Sequence, residues 1–197
     1  MQSVEDKIDK YIKLRARGSL FFPEDFSEFG SYDAVRKALQ RLEEKGVVRR
    51  VAQGIYVRPK VSKYIGEVLP SIEEIAKGIA KRDKTRIVPT GVYALNILGL
   101  STQVPMKLVF LTDGAPRTIK IGKQTLKFKK TTPKNLMAKG EISSLAIQAL
   151  REIGKDNVTE EEEEKLIELL KKEKPELLEH DIFLAPVWIQ KLMQKAL

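Results

Sequence analysis

Residues 46–60 read GVVRRVAQGIYVRPK, and this stretch decides how the first part of the chain is interpreted. Apolar and basic residues interleave on both sides of Gln53 and Gly54, a pair that favours a tight turn. The pattern predicts a β-hairpin with strands over roughly 47–52 and 55–58. The hairpin carries four basic residues: Arg49, Arg50, Arg58 and Lys60.

The segment before this hairpin predicts three helices. Apolar residues at helical spacing place the first helix near residues 3–16, with Gly18 as its C-cap. Pro23 suits the first position of a short second helix. Ser31 can cap a third helix, which stops at Gly46.

Three helices followed by a two-stranded hairpin is the order of a winged helix-turn-helix domain. In such a domain the third helix enters the major groove of DNA and the hairpin lies near the phosphates. The solvent-facing side of the third helix gives four candidates for contacts to base edges: Asp33, Arg36, Lys37 and Gln40. The candidates for contacts to the DNA backbone are Arg41, Arg49, Arg50, Gln53, Arg58 and Lys60. Residues 31–63 hold 9 Lys/Arg and 3 Asp/Glu, so the sequence predicts DNA binding.

Two other interpretations of the same segment remain open. A helical bundle with a solvated charged face shows the same periodicity. Winged helices also serve as adaptors that bind no DNA, either docking an acidic protein without touching nucleic acid or meeting RNA with their basic surface.

Charge is distributed unevenly along the chain. The formal net charge of +9 combines +5 over residues 1–64, +9 over residues 65–139 and −5 over residues 140–197. A basic body favours a polyanionic partner. Lys-rich surfaces also serve solubility or heat tolerance, so charge alone does not decide between these roles.

The middle of the chain predicts an α+β domain. Residues 59–70 are interpreted as a connector, and Ser71 with Glu74 matches the capping box of a following helix. The sequence then predicts a short strand, a break at Pro89 and a buried helix. An apolar strand with the sequence KLVFLTDG follows and ends in an Asp-Gly turn.

A further hairpin is predicted from RTIKI and TLKFKK within residues 117–130. Its apolar residues alternate with three lysines, Lys120, Lys127 and Lys129, which form a second basic face. On the wet side of an antiparallel sheet, such lysines protect edges against aggregation. The alternative is a second surface along which a nucleic-acid backbone lies.

Three amphipathic helices are predicted near the C-terminal end, with the sequences EISSLAIQALREIG, TEEEEEKLIELLKKEK and APVWIQKLMQKAL. Trp188 and Leu192 are spaced as packing anchors at i and i+4. The predicted fold class is therefore α+β. We expect a winged helix-turn-helix over residues 1–63, an α+β domain over 64–155 and an acidic helical extension over 156–197.

The sequence contains no recognisable catalytic constellation. The chain has one histidine, His180, and no cysteine, so it offers neither a two-His site nor a thiolate site for a metal. No Gly-rich phosphate loop occurs. The glutamates at 160–164 suit a helix N-terminus, and Asp113 is most simply a turn residue. We therefore expect a protein that is not an enzyme and that uses no metal and no cofactor.

Two features of the sequence predict where in the cell the protein is located. The N-terminal MQSVEDKIDK lacks the apolar stretch of a signal peptide. No apolar run approaches the ~18 residues of a membrane span. A cytoplasmic location without a membrane partner is the expectation.

Residues 18–60, from GSLFFPEDF to GIYVRPK, resemble the AbiEi-like antitoxin group of type IV toxin–antitoxin and abortive-infection systems. The similarity lies in the VRKALQRL helix, the GVVRR strand and the GIY triplet at 54–56. Residues 72–105 and the later FLTDG look like the start of the second domain in an uncharacterised branch of that group. The resemblance covers about residues 15–150.

This resemblance implies an N-terminal domain that binds promoter DNA and represses its own operon. It also implies a second domain that neutralises a nucleotidyltransferase toxin without a stable complex having to form. The implied partners are double-stranded DNA and, functionally, a cognate toxin. The residues that match the motif region are Arg36, Lys37, Gln40, Arg49, Arg50 and Tyr56. Tyr56 is as well suited to packing in the core of the wing as to contacting DNA.

Overall fold

A computed structural model describes residues 2–197 of the chain. The architecture is mixed α+β, with helices at the C-terminal end. It divides into two compact units, one ending at Ile79 and the other spanning Ala80–Leu197. The boundaries expected from the sequence, after residues 63 and 155, do not coincide with this division.

The first unit combines helical segments with a three-stranded sheet. Its first elements are α1 (Val4–Lys13), β1 (Leu20–Phe21), a 3₁₀ helix (Pro23–Phe29), α2 (Tyr32–Glu44), β2 (Arg49–Ala52) and β3 (Ile55–Val57). The strand order is β1-β3-β2, and both pairings are antiparallel. The β2–β3 hairpin was predicted, whereas the two-residue β1 is too short to show a strand pattern.

Local signals in the sequence fix these elements. Ser3 and Asp6 form a capping box at the start of α1. The Ser31 hydroxyl accepts a hydrogen bond of 3.4 Å from the Ala34 N–H at the start of α2. Gly54 has a φ of +70° in the hairpin turn, which glycine adopts without steric cost.

Helix α1 is shorter than the sequence predicted. It ends at Lys13 with Leu14 as its C-cap, and not near residue 16 with Gly18 as the cap. The Gly18 N–H donates to the carbonyl of Arg58 at 2.6 Å, so the chain has already left the helix and begun the pairing that β1 makes with β3.

The core of the first unit lies between the two helices and the sheet. Its buried residues are Ile8, Ile12, Phe21, Phe26, Val35, Ala38, Leu39, Leu42, Val48 and Tyr56. The four apolar residues of α2 form the buried stripe that the sequence predicted. Because this stripe faces inward, the opposite side of α2 with Asp33, Lys37 and Gln40 is exposed.

Residues 60–68 form a second hairpin where the sequence indicated only a connector. Its strands are β4 (Lys60–Ser62) and β5 (Gly66–Val68), which pair antiparallel. Strands of three residues are too short to show alternation, which explains why the pattern missed them. Helix α3 (Ile72–Asp83) follows and begins at the predicted capping box of Ser71 and Glu74.

The second unit contains a four-stranded sheet with the order β6-β7-β9-β8. Its first elements are β6 (Ile87–Thr90), α4 (Val92–Ile97), β7 (Lys107–Thr112), β8 (Arg117–Ile121) and β9 (Gln124–Lys130). Strands β8 and β9 form the predicted hairpin, but β9 lies parallel to β7. The sheet is therefore mixed and not antiparallel, since the apolar run of β7 indicates burial and not strand direction.

Pro89 lies inside β6 and does not break the chain there. It is the register partner of Phe110 in β7. Strand β6 is at the edge of the sheet, where a residue without an N–H is tolerated because no neighbouring strand requires that donor.

Five helices of the second unit share one hydrophobic core. They are α4, α5 (Glu141–Ile153), α6 (Glu160–Leu170), α7 (Pro175–Ile182) and α8 (Val187–Met193). The apolar residues of 156–197 share this core with α4 and α5. Helix α7 was not predicted, although Pro175 suits its first position. Among the described residues, none of the helices combines the length and apolarity needed to cross a membrane.

Candidate nucleic-acid interface

The exposed side of α2 and the β2–β3 hairpin border a groove of about 420 Å³. Six of the ten residues that the sequence predicted to contact DNA line it: Asp33, Arg36, Lys37, Gln40, Arg50 and Gln53. The groove thus brings together all four candidates for base contacts and two of the six candidates for backbone contacts. We call it the α2–hairpin groove.

The backbone explains why these side chains converge. Arg36 and Gln40 are four residues apart, so they lie on the same side of α2. Arg50 pairs with Tyr56 across the hairpin, and the register is irregular between Arg50 and Ala52. Such an irregularity bends the strand and increases its twist.

The charged groups in the groove interact only weakly with each other. Arg36 lies 4.0 Å from the Asp33 carboxylate, and its guanidinium carbon is 5.8 Å from the centre of the Tyr32 ring. The side chains of Arg36 and Asp33 are 63% and 83% exposed. An ion pair at that exposure contributes little to stability, so these side chains can change partners at little cost.

Two carboxylates limit the positive charge of the groove. Asp33 and Glu43 lie beside its three basic residues, and Glu43 accepts a 3.3 Å hydrogen bond from the Arg50 backbone N–H. These two carboxylates weaken the attraction of the groove for an anion.

Tyr56 forms part of the floor of the groove and is 7% exposed. It belongs to the core of the first unit, and burial raises the pKa of its phenol. Of the two roles that the sequence allowed for Tyr56, packing in the core is the one observed in this structure.

Three of the predicted backbone contacts are turned toward partners within the protein. Arg41 lies 3.4 Å from Glu5, Arg49 Nε donates to Glu67 at 2.7 Å, and Arg58 donates to the Lys13 carbonyl at 2.8 Å. These three arginines do not line the α2–hairpin groove.

Geometry accounts for each of these three cases. Arg41 is five residues beyond Arg36, which rotates it by about 140° around α2 and toward α1. Arg49 and Arg50 are adjacent in a strand, so they point to opposite faces. Arg58 lies at the carboxyl end of α1, where a cation satisfies free carbonyl groups.

Hydrogen bonds at two of these internal contacts also shift the pKa of a charged side chain. The hydrogen bond to Glu67 raises the pKa of Arg49. The hydrogen bond from Lys45 lowers the pKa of Glu5, which also contacts Arg41. The contacts of Glu5 with Arg41 and Lys45 join α1 to the C-terminal part of α2.

Lys60 is exposed, but its side chain lies along the chain next to Gly18. A Cβ atom built on Gly18 would be 2.5 Å from Lys60 Cε. This is a local packing position in β4 and not a part of the α2–hairpin groove.

The lysines of the second basic face alternate with apolar residues along β8 and β9, as the sequence pattern predicted. Lys120 pairs with Thr125 and Lys127 pairs with Thr118, so these lysines point to one side of the β8–β9 hairpin. Lys120 and Lys129 are exposed and Lys127 is half-buried. Because β9 lies between β7 and β8, edge protection explains Lys120 but neither lysine of β9.

The histidine and Asp113 have structural contacts that the sequence did not reveal. His180 Nδ1 lies 2.7 Å from the buried carboxylate of Asp181. Asp113 accepts hydrogen bonds from the backbone N–H and the guanidinium of Arg86, at 2.8 and 3.0 Å. It therefore ties the start of β6 to the end of β7 and does more than form a turn. Over residues 2–197, no group of three or more acidic, His or Cys side chains could hold a metal ion.

The fold and the groove together define an α+β protein with C-terminal helices and a charged surface on its first unit. The chain belongs to DUF6088, a family of unknown function, which matches residues 7–178. No curated protein matches the sequence. Among solved structures, the chain is similar to the RV2827C protein from Mycobacterium tuberculosis, with 12% identity and a TM-score of 0.48. That similarity covers 98% of this chain and 81% of the other.

Proposed function

We propose that the first unit is a winged helix-turn-helix domain that binds double-stranded DNA, and that the protein is a transcriptional regulator. The observation that carries the proposal is the convergence of Arg36, Lys37, Gln40 and Arg50 on the α2–hairpin groove. The order of helices and strands in this unit supports the same interpretation.

The dimensions of α2 suit the major groove. The helix has 13 residues, which corresponds to about 20 Å of length. The major groove is about 12 Å wide and admits a single helix. With the apolar stripe of α2 buried, the side that can enter a groove carries Arg36, Lys37 and Gln40.

Each side chain has a distinct proposed role. Arg36 and Lys37 suit the O6 and N7 acceptors of guanine, and Gln40 suits adenine. Asp33 is an acceptor for the amino group of cytosine. Arg50 and Gln53 on the hairpin suit phosphate oxygens, which fix position without reading sequence.

The test is DNA binding by the R36A/K37A variant, measured by fluorescence anisotropy over a range of salt concentrations. The DNA is a duplex selected for binding to the unmodified protein. We expect the affinity for this duplex to fall by about 30-fold or more, since each base contact contributes about 1–3 kcal/mol. The matched control is K7A/K10A, which removes the same charge from exposed positions on α1.

The control distinguishes contacts made by the α2–hairpin groove from general electrostatic attraction to DNA. K7A/K10A should change affinity by less than about threefold at physiological salt, where distant surface charges are screened. Equal losses in both variants would contradict a role for the α2–hairpin groove.

A second candidate is an adaptor that binds RNA or an acidic protein. The turn of the β4–β5 hairpin favours it, because Tyr64 and Ile65 are 95% and 74% exposed there, beside Lys63. Exposed aromatic rings stack on unpaired RNA bases. Under this alternative, Y64A would weaken binding to an RNA hairpin, and R36A/K37A would leave duplex binding unchanged.

The resemblance to AbiEi-like antitoxins extends the first proposal. On that basis the protein represses its own operon and counteracts a nucleotidyltransferase toxin, the second role residing in the second unit. R36A/K37A should then relieve repression of a reporter and still protect cells that express the toxin. Loss of both activities in this variant would contradict the division of roles.

A further inference from the structure

The second unit contains a cavity that DNA binding by the first unit does not use. Its volume is about 550 Å³, within the range of about 300–1,000 Å³ found for small-molecule sites. The cavity lies between α6, α8 and the 3₁₀ turn at Lys155–Asn157, and it is open to solvent.

The lining of this cavity separates into an apolar floor and a basic rim. The floor contains Val158, Trp188 and Leu192, and the rim contains Lys155, Lys191 and Lys195. Leu192 is buried in the helical core, and Trp188 and Val158 pack against that core from the cavity side. The floor is therefore a fixed surface, held in place by the packing of α6 and α8.

Carboxylates of the protein neutralise only part of the positive charge of the rim. Lys195 forms an ion pair with Glu163, which is itself a lining residue. Among the described residues, Lys155 and Lys191 have no ion-pair partner. Two exposed lysines without a carboxylate partner thus line the same cavity as Trp188.

We propose that this cavity binds an aromatic carboxylate. An aryl ring on the apolar floor would bury surface against Trp188, and aromatic pairs contribute beyond the area that they bury. The carboxylate would accept charge-assisted hydrogen bonds from Lys155 and Lys191. A neutral aromatic compound would leave the two ammonium groups without an acceptor, and a small anion such as acetate would leave the floor uncovered.

The experiment is an NMR titration of the full-length ¹⁵N-labelled protein with 2-naphthoate. Trp188 is the one tryptophan of the chain, so it gives a single indole N–H resonance. We expect this resonance to shift and to saturate with a Kd of about 1 mM or tighter, as suits a ligand of this size. An indole resonance that does not move would overturn the proposal.

Variants test the basic rim without touching the core. K155Q/K191Q should raise the Kd for 2-naphthoate about tenfold, since it removes both charged donors. The matched control K171Q/K172Q replaces two exposed lysines of the same unit that do not line the cavity, and it should leave the Kd unchanged. Equal weakening in the two double variants would contradict the proposed contacts.

A neutral analogue supplies the remaining control. 2-Naphthylmethanol keeps the aromatic body and lacks the carboxylate, so it should bind more weakly than 2-naphthoate and respond little to K155Q/K191Q. Equal affinity for the acid and the alcohol would show a merely hydrophobic site and would overturn the assignment. Because the cavity lies in the second unit, either result leaves the test of DNA binding independent.

Discussion

Asp181 shows how much one buried carboxylate organises in the second unit. It is fully buried and accepts hydrogen bonds from the N–H groups of Lys139 and Gly140, at 2.9 and 2.8 Å, and from the Ser143 hydroxyl. These donors lie at the start of α5, where helix N–H groups lack partners within the helix. Asp181 therefore joins α7 to the N-terminus of α5.

Replacing Asp181 should destabilise the protein strongly. D181A would leave several buried donors unsatisfied, so we expect the free energy of unfolding to fall by about 3 kcal/mol. Urea denaturation monitored by circular dichroism measures this loss in the free energy of unfolding of the second unit. The control E179A removes an exposed carboxylate from the same helix and should change stability by less than about 0.5 kcal/mol. Comparable effects of the two substitutions would contradict the role given to Asp181.

Asp83 should make stability depend on acid pH. Burial raises its pKa, but hydrogen bonds from Arg82 and Arg117 outweigh burial, and the net pKa lies below the ordinary value of 3.8. A carboxyl with a lowered folded-state pKa stabilises the fold above its unfolded pKa and loses that contribution as pH falls through the folded pKa. We expect D83N to flatten the fall in stability below about pH 4. An unchanged pH profile in D83N would count against the network.

The residues of the α2–hairpin groove were predictable from the sequence only in part. Helical periodicity places Arg36, Lys37 and Gln40 on one exposed side, and no tertiary information is required for that. The partners of Arg41, Arg49 and Arg58 lie at least 18 residues away along the chain. Such contacts depend on the packed fold, so a local pattern could not reveal them.

Elements with strong local signals were recovered well. The predicted capping box at Ser71 marks the start of α3, the glutamates at 160–164 mark the start of α6, and the amphipathic repeats mark α2 and α5. The β4–β5 hairpin and α7 lack long repeats and were missed. Strand β8 lies between β7 and β9 along the chain. The parallel direction of the β7–β9 pair could therefore not be derived from the sequence of either strand alone.

The turn of the β2–β3 hairpin should depend on Gly54. Its φ is +70°, and a Cβ atom there would meet nothing within 4 Å, so any cost of substitution comes from the backbone alone. We expect G54A to lower the free energy of unfolding by about 1 kcal/mol. G54N should cost less, because asparagine adopts the left-handed conformation more readily. Thermal denaturation compares the two, and equal costs would contradict the backbone explanation.

At the scale of the whole molecule, the first compact unit extends beyond residue 63. A Cβ atom on Gly78 of α3 would be 2.3 Å from Leu20 Cδ1, so α3 packs closely on β1. Glu67 of β5 also holds Arg49 of β2. The second hairpin and α3 therefore help to complete the unit that carries the α2–hairpin groove.

Truncation should reveal this dependence. We expect a fragment of residues 1–63 to unfold at a lower temperature than a fragment of residues 1–84, because it lacks α3 and the partner of Arg49. Differential scanning calorimetry of both fragments measures the difference. Equal melting temperatures would show that residues 64–84 contribute nothing to the fold of the first unit.

The most direct measurement is an NMR titration of the full-length protein with a duplex of about 20 base pairs at low salt, where nonspecific binding is tighter than its Kd of about 10⁻⁴–10⁻⁶ M at physiological salt. The account predicts that the shifted amides cluster in α2 and in the β2–β3 hairpin, around Arg36, Gln40 and Arg50. Shifts confined to other surfaces, or no shifts at saturating duplex, would contradict DNA binding by the α2–hairpin groove.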